Sequence, residues 1–510
     1  MKTAHYLLTF SFFICTTLLG ADKPNIIIFL VDDMGMMDTS VPFITDKNGK
    51  PQLQELNQYF RTPAMEKLAS QGIRFNQFCA QSVCSPSRAS IISGQNATRH
   101  QTTTWINPSS NNRGDFGPKE WNWTGIKAGS PVLPKLFSDA GYTTIHIGKA
   151  HFGNKQADAS DPTKIGFQYN VGGDCWGRPK SYYSKDHYGN HPKYKTGKKP
   201  VTHNVPHLEK YYDTGTFLTE ALTLETLPLI KKSVEVNKPF FLHMSHYALH
   251  SPFNSDPRFA DNYKNSGKGK SAQAFATLVE GMDKSLADVM ATLNQLGIAE
   301  DTLIIFLGDN GSDAPLGGTH TTICAAPLKG KKGTHYEGGM RIPFIAAWAK
   351  VNPENKFQKA LPIAQNAIQT QMATIMDIYP TVLEASGIAS PANHTVDGRS
   401  LKTLLSGKED NTHPKTFLMH FPHKHRSSYF TTYRTQDWKI IYHYNPKTSK
   451  PEIELYHLKE DPYEEKNLAS TNPEKLNSLI NAMNSQLKQE GALFPTNKKG
   501  DELTPLIPNL

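Results

Sequence analysis

The sequence predicts an α/β protein: a mostly parallel β-sheet sandwiched by helices, followed by a small C-terminal unit of antiparallel strands plus a helix. Three observations carry this. Short, nearly continuous apolar runs rich in β-branched residues, such as IIIFLV at 26–31 and TLIIFL at 302–307, have the composition of strands buried on both faces. Between such runs lie stretches with apolar residues at helical spacing, and this alternation is the pattern of a parallel sheet covered on both sides. After about residue 406 the alternation stops, and two strand-like runs joined by a turn are followed by one amphipathic stretch.

In order along the chain, residues 26–31 form the first strand, with Asp32 and Asp33 at its carboxyl end. A helix follows from Pro63, with Thr62 as the capping residue and Gly72 as the stop. Residues 73–80 read as the next strand and residues 89–93 as a helix. A helix over 131–140 ends at Gly141, and a strand over 142–147 leads into a loop with Lys149 and His151. The run from residue 238 is a strand ending in a polar loop. Residues 277–297 form a helix closed by Gly297, and residues 302–312 are a buried strand ending in Asp309 and Asn310. A further helix spans 371–387. In the C-terminal part, residues 437–458 are two strands joined near 445–451, and 472–491 is an amphipathic helix. The chain divides into a leader at 1–20, a main domain at 21–406 and a subdomain at 407–510.

Of 510 residues, 38% are apolar and 20% charged, which suits a globular enzyme and excludes a disordered chain. The formal net charge is +9, spread out rather than gathered in one long tract. It suits an anionic substrate and does not indicate a nucleic-acid partner. Its densest clusters, at 193–200 and 264–270, read as solvated surface. At the N-terminus, Lys2 precedes an apolar run over 6–19 and the small residues Gly20 and Ala21. The run is short for a membrane span and reads as a cleaved secretory signal. Ile14 is bulky where a lipoprotein signal needs a small residue before Cys15, so the expectation is a periplasmic or secreted protein with no membrane span. Beyond the leader stand Cys79, Cys84, Cys175 and Cys324. In an exported protein these make two disulfides, or at most one if Cys84 serves chemistry.

Asp32, Asp33, Asp309 and Asn310 are two acidic pairs on two strand ends. Carboxylates gathered in one place repel and require a cation. Four hard oxygen donors without Cys or His favour Ca²⁺ or Mg²⁺ over zinc. Cys84 lies before a helix, where the dipole and Arg88 favour a thiolate.

The segment CSPSR at 84–88 resembles the signature Cys-x-Pro-x-Arg of the formylglycine-dependent (type I) sulfatases, and RASIISG continues the pattern. The segments PNIIIFLVDDMG, IGKAHFG, HMSHYALHSPF, LGDNGS and LKGKKGTHYEGGMRIPF are similar to the same family in the same order. The resemblance, closest to bacterial enzymes that act on polysaccharides and other carbohydrates, implies an alkaline-phosphatase-like fold with a small C-terminal subdomain. It implies that a maturation enzyme oxidises Cys84 to Cα-formylglycine. One hydroxyl of the hydrated aldehyde then attacks sulfur, and the other expels sulfate. It further implies a metal, usually Ca²⁺, at Asp32, Asp33, Asp309, Asn310 and position 84. Arg88 orients the hydrate, and Lys149 and Lys332 hold sulfate. His151 assists hemiacetal breakdown, and His250 protonates the leaving alcohol. Gly333-Thr334 favours Lys332 over Lys329 and Lys331, and His243 and His246 lie near His250 in the sequence.

The loops at 97–110 and 174–183 are rich in Arg, Trp and Tyr and suit a sulfated sugar, as do residues 317–322 and 420–426. The expected function is hydrolysis of carbohydrate sulfate esters, possibly of galactose-type sugars. Two rivals are a phosphodiesterase or phosphonate hydrolase of the same superfamily and a non-catalytic protein that binds sulfated glycans.

Overall fold

The computed structural model describes residues 22–189, 203, 205–316 and 324–507. The leader, the basic cluster at 193–200 and the segment 317–322 lie outside the described residues.

The main sheet has eight strands in the order β5-β4-β6-β1-β7-β8-β2-β9. These are β1 (Asn25–Val31), β2 (Ile73–Phe75), β4 (Thr143–Gly148), β5 (Tyr169–Val171), β6 (Phe240–His246), β7 (Thr302–Gly308), β8 (Phe344–Trp348) and β9 (Ala367–Gln369). The five strands from β5 to β7 are mutually parallel, whereas β8 runs antiparallel to both its neighbours. The central β1 is fully buried. Its alternation splits the core: Ile27, Phe29 and Val31 face the layer holding helices Pro63–Gln71, Leu218–Glu235 and Lys270–Gln295. Ile26, Ile28 and Leu30 face the layer holding helices Cys84–Ser93, Leu133–Asp139 and Ile378–Ala385. The run is continuous because both faces need apolar cover.

A second sheet is an antiparallel meander of β11 (Thr416–Phe421), β12 (Phe430–Thr435), β13 (Trp438–His443) and β14 (Glu452–His457). Helix Pro473–Glu490 packs Leu476, Ile480, Met483 and Leu487 against Ile440, Tyr442 and Leu455, and Gly491 ends it in the left-handed region at φ 71°.

Several expectations are corrected. Residues 73–80 are not one strand: β2 is followed by a separate short β3 (Phe78–Cys79), which pairs with β10 (Ala373–Thr374). That pairing removes the start of the helix expected at 371–387. A Thr374–Asp377 capping box opens a 3₁₀ turn instead, and the α-helix begins at Ile378. The helix expected at 89–93 starts at Cys84 itself. Thr62 does not cap its helix. Its hydroxyl bonds Thr39 and Ser40, and the first backbone amides, those of Ala64 and Met65, donate to Asp283 at 2.9 and 2.8 Å. Among the described residues no disulfide forms: Cys79, Cys84, Cys175 and Cys324 are all free and buried.

Candidate active site

Four adjacent parallel strands deliver side chains to one place, the carboxyl edge of the sheet, where α/β folds place ligands. Asp32 and Asp33 follow β1, and Asp309 and Asn310 follow its neighbour β7. Lys149 and His151 follow β4, and His250 follows β6. Helix Cys84–Ser93 brings Cys84 at its first turn and Arg88 one turn on. All ten of its residues are buried, and its serines bond within the protein: Ser87 to the Gln81 and Val83 carbonyls, Ser93 to Ala89.

Oxygen atoms of Asp32, Asp33 and Asp309 lie within 4.8 Å of one another, and all three residues are essentially inaccessible. Three cations surround them. Lys149 Nζ reaches both Asp32 oxygens at 2.8 and 2.7 Å. Lys332 Nζ sits 2.6 Å from Asp33 Oδ1 and 2.7 Å from Oδ2. Arg88 donates through Nε to Asp309 at 2.9 Å, and through one terminal nitrogen to the Lys149 carbonyl at 2.9 Å and Ser245 Oγ at 2.6 Å. Burial opposes ionisation of Asp33, but Lys332, His250 and Lys149 together outweigh it and hold the carboxyl well below the usual range. Asp32 goes the other way: burial, reinforced by Asp309 and Asp33, raises it well above the usual range despite Lys149 and Arg88. Asn310 donates from Nδ2 to Asp33 at 3.0 Å, while its Oδ1 is buried with no partner among the described residues.

His151 Nε2 lies 2.7 Å from the Ile106 carbonyl, which only accepts, so Nε2 carries the proton. Burial, with Lys149 beside it, keeps the ring neutral, and the bare Nδ1 faces Cys84 Sγ at 3.3 Å. His250 is the mirror case. Its Nδ1 faces the Ser251 carbonyl at 2.9 Å, leaving Nε2 3.6 Å from Asp33 Oδ2. Burial, aided by Lys332, lowers it to about 3. Asp33 and His151 both hold left-handed backbone, with φ 58° and 55°, which non-glycine residues adopt uncommonly and which clusters at functional sites. Gly177 leaves room for the His151 ring, since a Cβ there would meet Cε1 at 2.6 Å.

The sequence left two registers open, and the geometry separates them. His243 and His246 are buried within β6, His246 on Ser285 Oγ at 3.0 Å, while only His250 reaches the cluster. Lys329 binds the Glu464 carbonyl at 3.1 Å and Lys331 lies 3.5 Å from Asp313, which leaves Lys332 at Asp33.

A cavity of about 430 Å³ opens over Cys84, His151, His250 and Lys332. Its walls are Trp105 and Asn107, Trp176 and Arg178, and His425 and Arg426, one pair from each of three loops singled out in the sequence. Arg426 grips Asp313 through two bonds of 2.6 and 2.7 Å, which pins the C-terminal loop over the main domain. Sequence reasoning missed Asp313, Ser245 and Ser251. Ser245 lies inside β6, and Asp313 is one residue past the recognised LGDNGS segment.

Comparison with known proteins identifies the family. The family model described as Sulfatase matches residues 24–388, and that described as N-sulphoglucosamine sulphohydrolase, C-terminal, matches residues 331–492. The mouse (Mus musculus) N-acetylgalactosamine-6-sulfatase is 30% identical over 400 residues, covering 76% of this chain and 68% of the relative. A sulfatase of Formosa agariphila is 28% identical over 521 residues, covering 91% of this chain and 88% of the relative. The crystal structure of Ps i-CgsB superposes with a TM-score of 0.71 at 22% identity, covering 94% of this chain and 96% of that one. Among the described residues no helix is long and apolar enough to cross a membrane. With the strand-end cluster and the family model meeting on the same segments, the chain belongs to the sulfatase family: it is a sulfuric ester hydrolase with the alkaline-phosphatase-like fold of that family.

Proposed function

We propose that this protein hydrolyses sulfate esters of carbohydrates, with position 84 as the nucleophile after conversion of the thiol to formylglycine and with Ca²⁺ held by Asp32, Asp33, Asp309 and Asn310. One observation carries the reading. Three buried carboxylates crowd together beside an orphaned amide oxygen, and Cys84 sits with two of the surrounding groups, His151 and Lys332, in the wall of the adjoining cavity. The acidic groups crowd one another even with three cations around them, and this helps drive Asp32 up. A divalent cation held by Asp32, Asp33, Asp309 and Asn310 would relieve that repulsion and tip the site positive for an anionic ester. The donor set therefore fits a hard cation, which supplies Lewis-acid stabilisation of sulfate oxygen. The hydrated aldehyde supplies one hydroxyl to attack sulfur and a second to release it.

The chain's own residues do the rest. Arg88 fixes Asp309 and the turn at Lys149, so the carboxylate and the lysine move as one unit. Lys149 and Lys332 are fixed ammonium groups for the charge that builds on sulfate oxygens, preorganised by their carboxylate partners. His151, protonated at Nε2, offers Nδ1 as a base beside position 84. His250, held through Nδ1 in the cavity wall, takes up at Nε2 the proton that the attacking hydroxyl loses and hands it to the departing sugar oxygen. Trp105 and Trp176 offer apolar faces for a sugar ring, and Arg178 offers charge for a further sulfate.

The comparisons support carbohydrate as the substrate class through the N-acetylgalactosamine-6-sulfatase relative and the solved structure of Ps i-CgsB in complex with k-i-k-neocarrahexaose. We assign a galactose-type sugar, a periplasmic or secreted location and a catalytic domain at 21–406 to the same reading. Incubating matured protein with defined sulfated mono- and oligosaccharides, and in parallel with phosphate mono- and diesters, tests it. Inorganic sulfate from galactose-type substrates is the expected outcome. Faster turnover of the phosphate esters overturns it in favour of a phosphohydrolase.

A further inference from the structure

The segment carrying Lys332 continues into His335, and around His335 stands a second group of ligand-type side chains, remote in sequence from the acidic cluster. His335 lies beside His443 of β13 and Glu454 of β14, with one potential ligand atom from each within 4.8 Å of the others. Glu454 Oε1 is 2.7 Å from His443 Nε2 and 3.8 Å from His335 Nε2. The rings of His335 and His443 meet edge to face at 4.7 Å. A tetrahedral ion with bonds of about 2.0–2.1 Å holds its ligand atoms roughly 3.3 Å apart, between these two spacings.

Two further observations point to a ligand. His335 is 8% exposed, and both its ring nitrogens are buried without a hydrogen-bond partner among the described residues. Buried imidazole nitrogens are almost always paired, so an orphaned ring beside a carboxylate and a second imidazole needs a reason. Glu454 is oriented by its other oxygen, Oε2, which accepts from the Tyr336 hydroxyl at 3.1 Å and from the Tyr456 hydroxyl. Its Oε1 is thereby turned toward the two histidines, the arrangement in which outer partners fix a ligating carboxylate.

We propose that His335, His443 and Glu454 form a metal site for a zinc-class transition ion. Two imidazoles and one carboxylate are the donor set of such ions, whereas Ca²⁺ and Mg²⁺ take oxygen alone. The site joins the loop of the main domain that carries Lys332 to two strands of the C-terminal sheet. A bound ion therefore fastens the Lys332 segment to the subdomain. His443 and Glu454 are only partly buried, at 18% and 19% side-chain exposure, so an ion has access from solvent.

The test uses the full chain, stripped of metal and held in excess Ca²⁺ so that the acidic oxygen cluster is occupied. Co²⁺ is the probe, because nitrogen-ligated four- or five-coordinate Co²⁺ absorbs visibly far more strongly than the octahedral oxygen-ligated ion. The expected result is a visible band that saturates at one Co²⁺ per chain and is bleached by Zn²⁺, with a rise in the thermal midpoint on Zn²⁺ addition. Glu454→Gln and His443→Asn each weaken binding by about 100-fold or more and abolish the midpoint shift. A wild-type chain that gives no saturating band overturns the proposal, and so does a band that persists unchanged in Glu454→Gln. Glu454 is partly exposed, so that variant decides the matter even where His443→Asn fails to fold. The outcome is independent of sulfate release.

Discussion

At the carboxyl ends of β1 and β7, like charges sit side by side: Asp32, Asp33 and Asp309 are mutual neighbours, and the cations lie around their outside. At the joint between the two sheets, unlike charges alternate instead. Glu337 is held by Arg434 at 3.1 Å and Lys439 at 3.2 Å, and Lys439 reaches on to Glu464 at 2.7 Å. Arg434 also bonds Gln77, and the Glu337 amide donates to Glu464 at 2.8 Å. Both clusters are fully buried. In the joint, burial works against the Glu337 charge, but Arg434 and Lys439 bring its carboxyl down to about 2, while burial, reinforced by Glu337, pushes Glu464 up to about 7 despite Lys439. In the strand-end cluster it is the crowding of like charges that adds to burial: Asp309 and Asp33 help drive Asp32 up, and Asn310 Oδ1 has no partner among the described residues. Buried ion pairs that alternate hold elements in register, whereas crowded carboxylates with an orphaned donor mark a place prepared for something else.

Substitutions separate the two clusters, beginning with the largest effect. Cys84→Ala removes the reacting group, and sulfate release falls by more than ~10⁴-fold while the thermal midpoint barely changes. A mutant that keeps a tenth of the wild-type rate contradicts the assignment of position 84. Lys332→Ala leaves Asp33 without its closest cation and costs about 10²–10³-fold in kcat/KM, measured on any substrate the wild type turns over. Glu337→Gln acts in the opposite sense. It strands Arg434 and Lys439 and lowers unfolding free energy by about 3–5 kcal/mol, readable in chemical denaturation. If it lowers activity of the folded protein as strongly as Lys332→Ala does, the contrast between the clusters fails.

A buried carboxyl outside both clusters gives the smallest effect. Burial pushes Glu490 up to about 7, and Gln486 donates to it at 2.7 Å. The folded chain then binds this proton more tightly than the unfolded one. The stabilisation is complete below the ordinary value of 4.5 and is lost as pH rises through about 7. Glu490→Gln removes that dependence. Its midpoint matches wild type at pH 4 and exceeds it by roughly a few degrees at pH 8.

Much of the strand-end cluster was legible because its residues stand directly after apolar runs that only a buried strand explains. IIIFLV followed by two aspartates and TLIIFLG followed by Asp-Asn place four oxygen donors on neighbouring strands as soon as the sheet is parallel. Two of the loops that wall the cavity, at 97–110 and 174–183, were legible from their Arg, Trp and Tyr content. The joint was not, since Glu337, Arg434, Lys439 and Glu464 are polar residues far apart in sequence, and nothing local says that they meet. The start of the helix expected over 371–387 was misplaced for a related reason: Ala373 and Thr374 pair with Phe78 and Cys79, a long-range pairing that outweighs local periodicity, and the α-helix runs only over Ile378–Ala385. The expected disulfides failed because cysteine count carries no distance. The antiparallel β8 was equally hidden, since its apolar run looks the same in either direction.

The central claim is that the thiol at position 84 becomes an aldehyde and that this aldehyde releases sulfate. The most direct measurement is the mass of the proteolytic peptide containing position 84, taken from a preparation whose sulfatase activity has been established. The account predicts formylglycine there, in a fraction that rises in proportion to specific activity. Full activity with an unmodified cysteine at that position contradicts it.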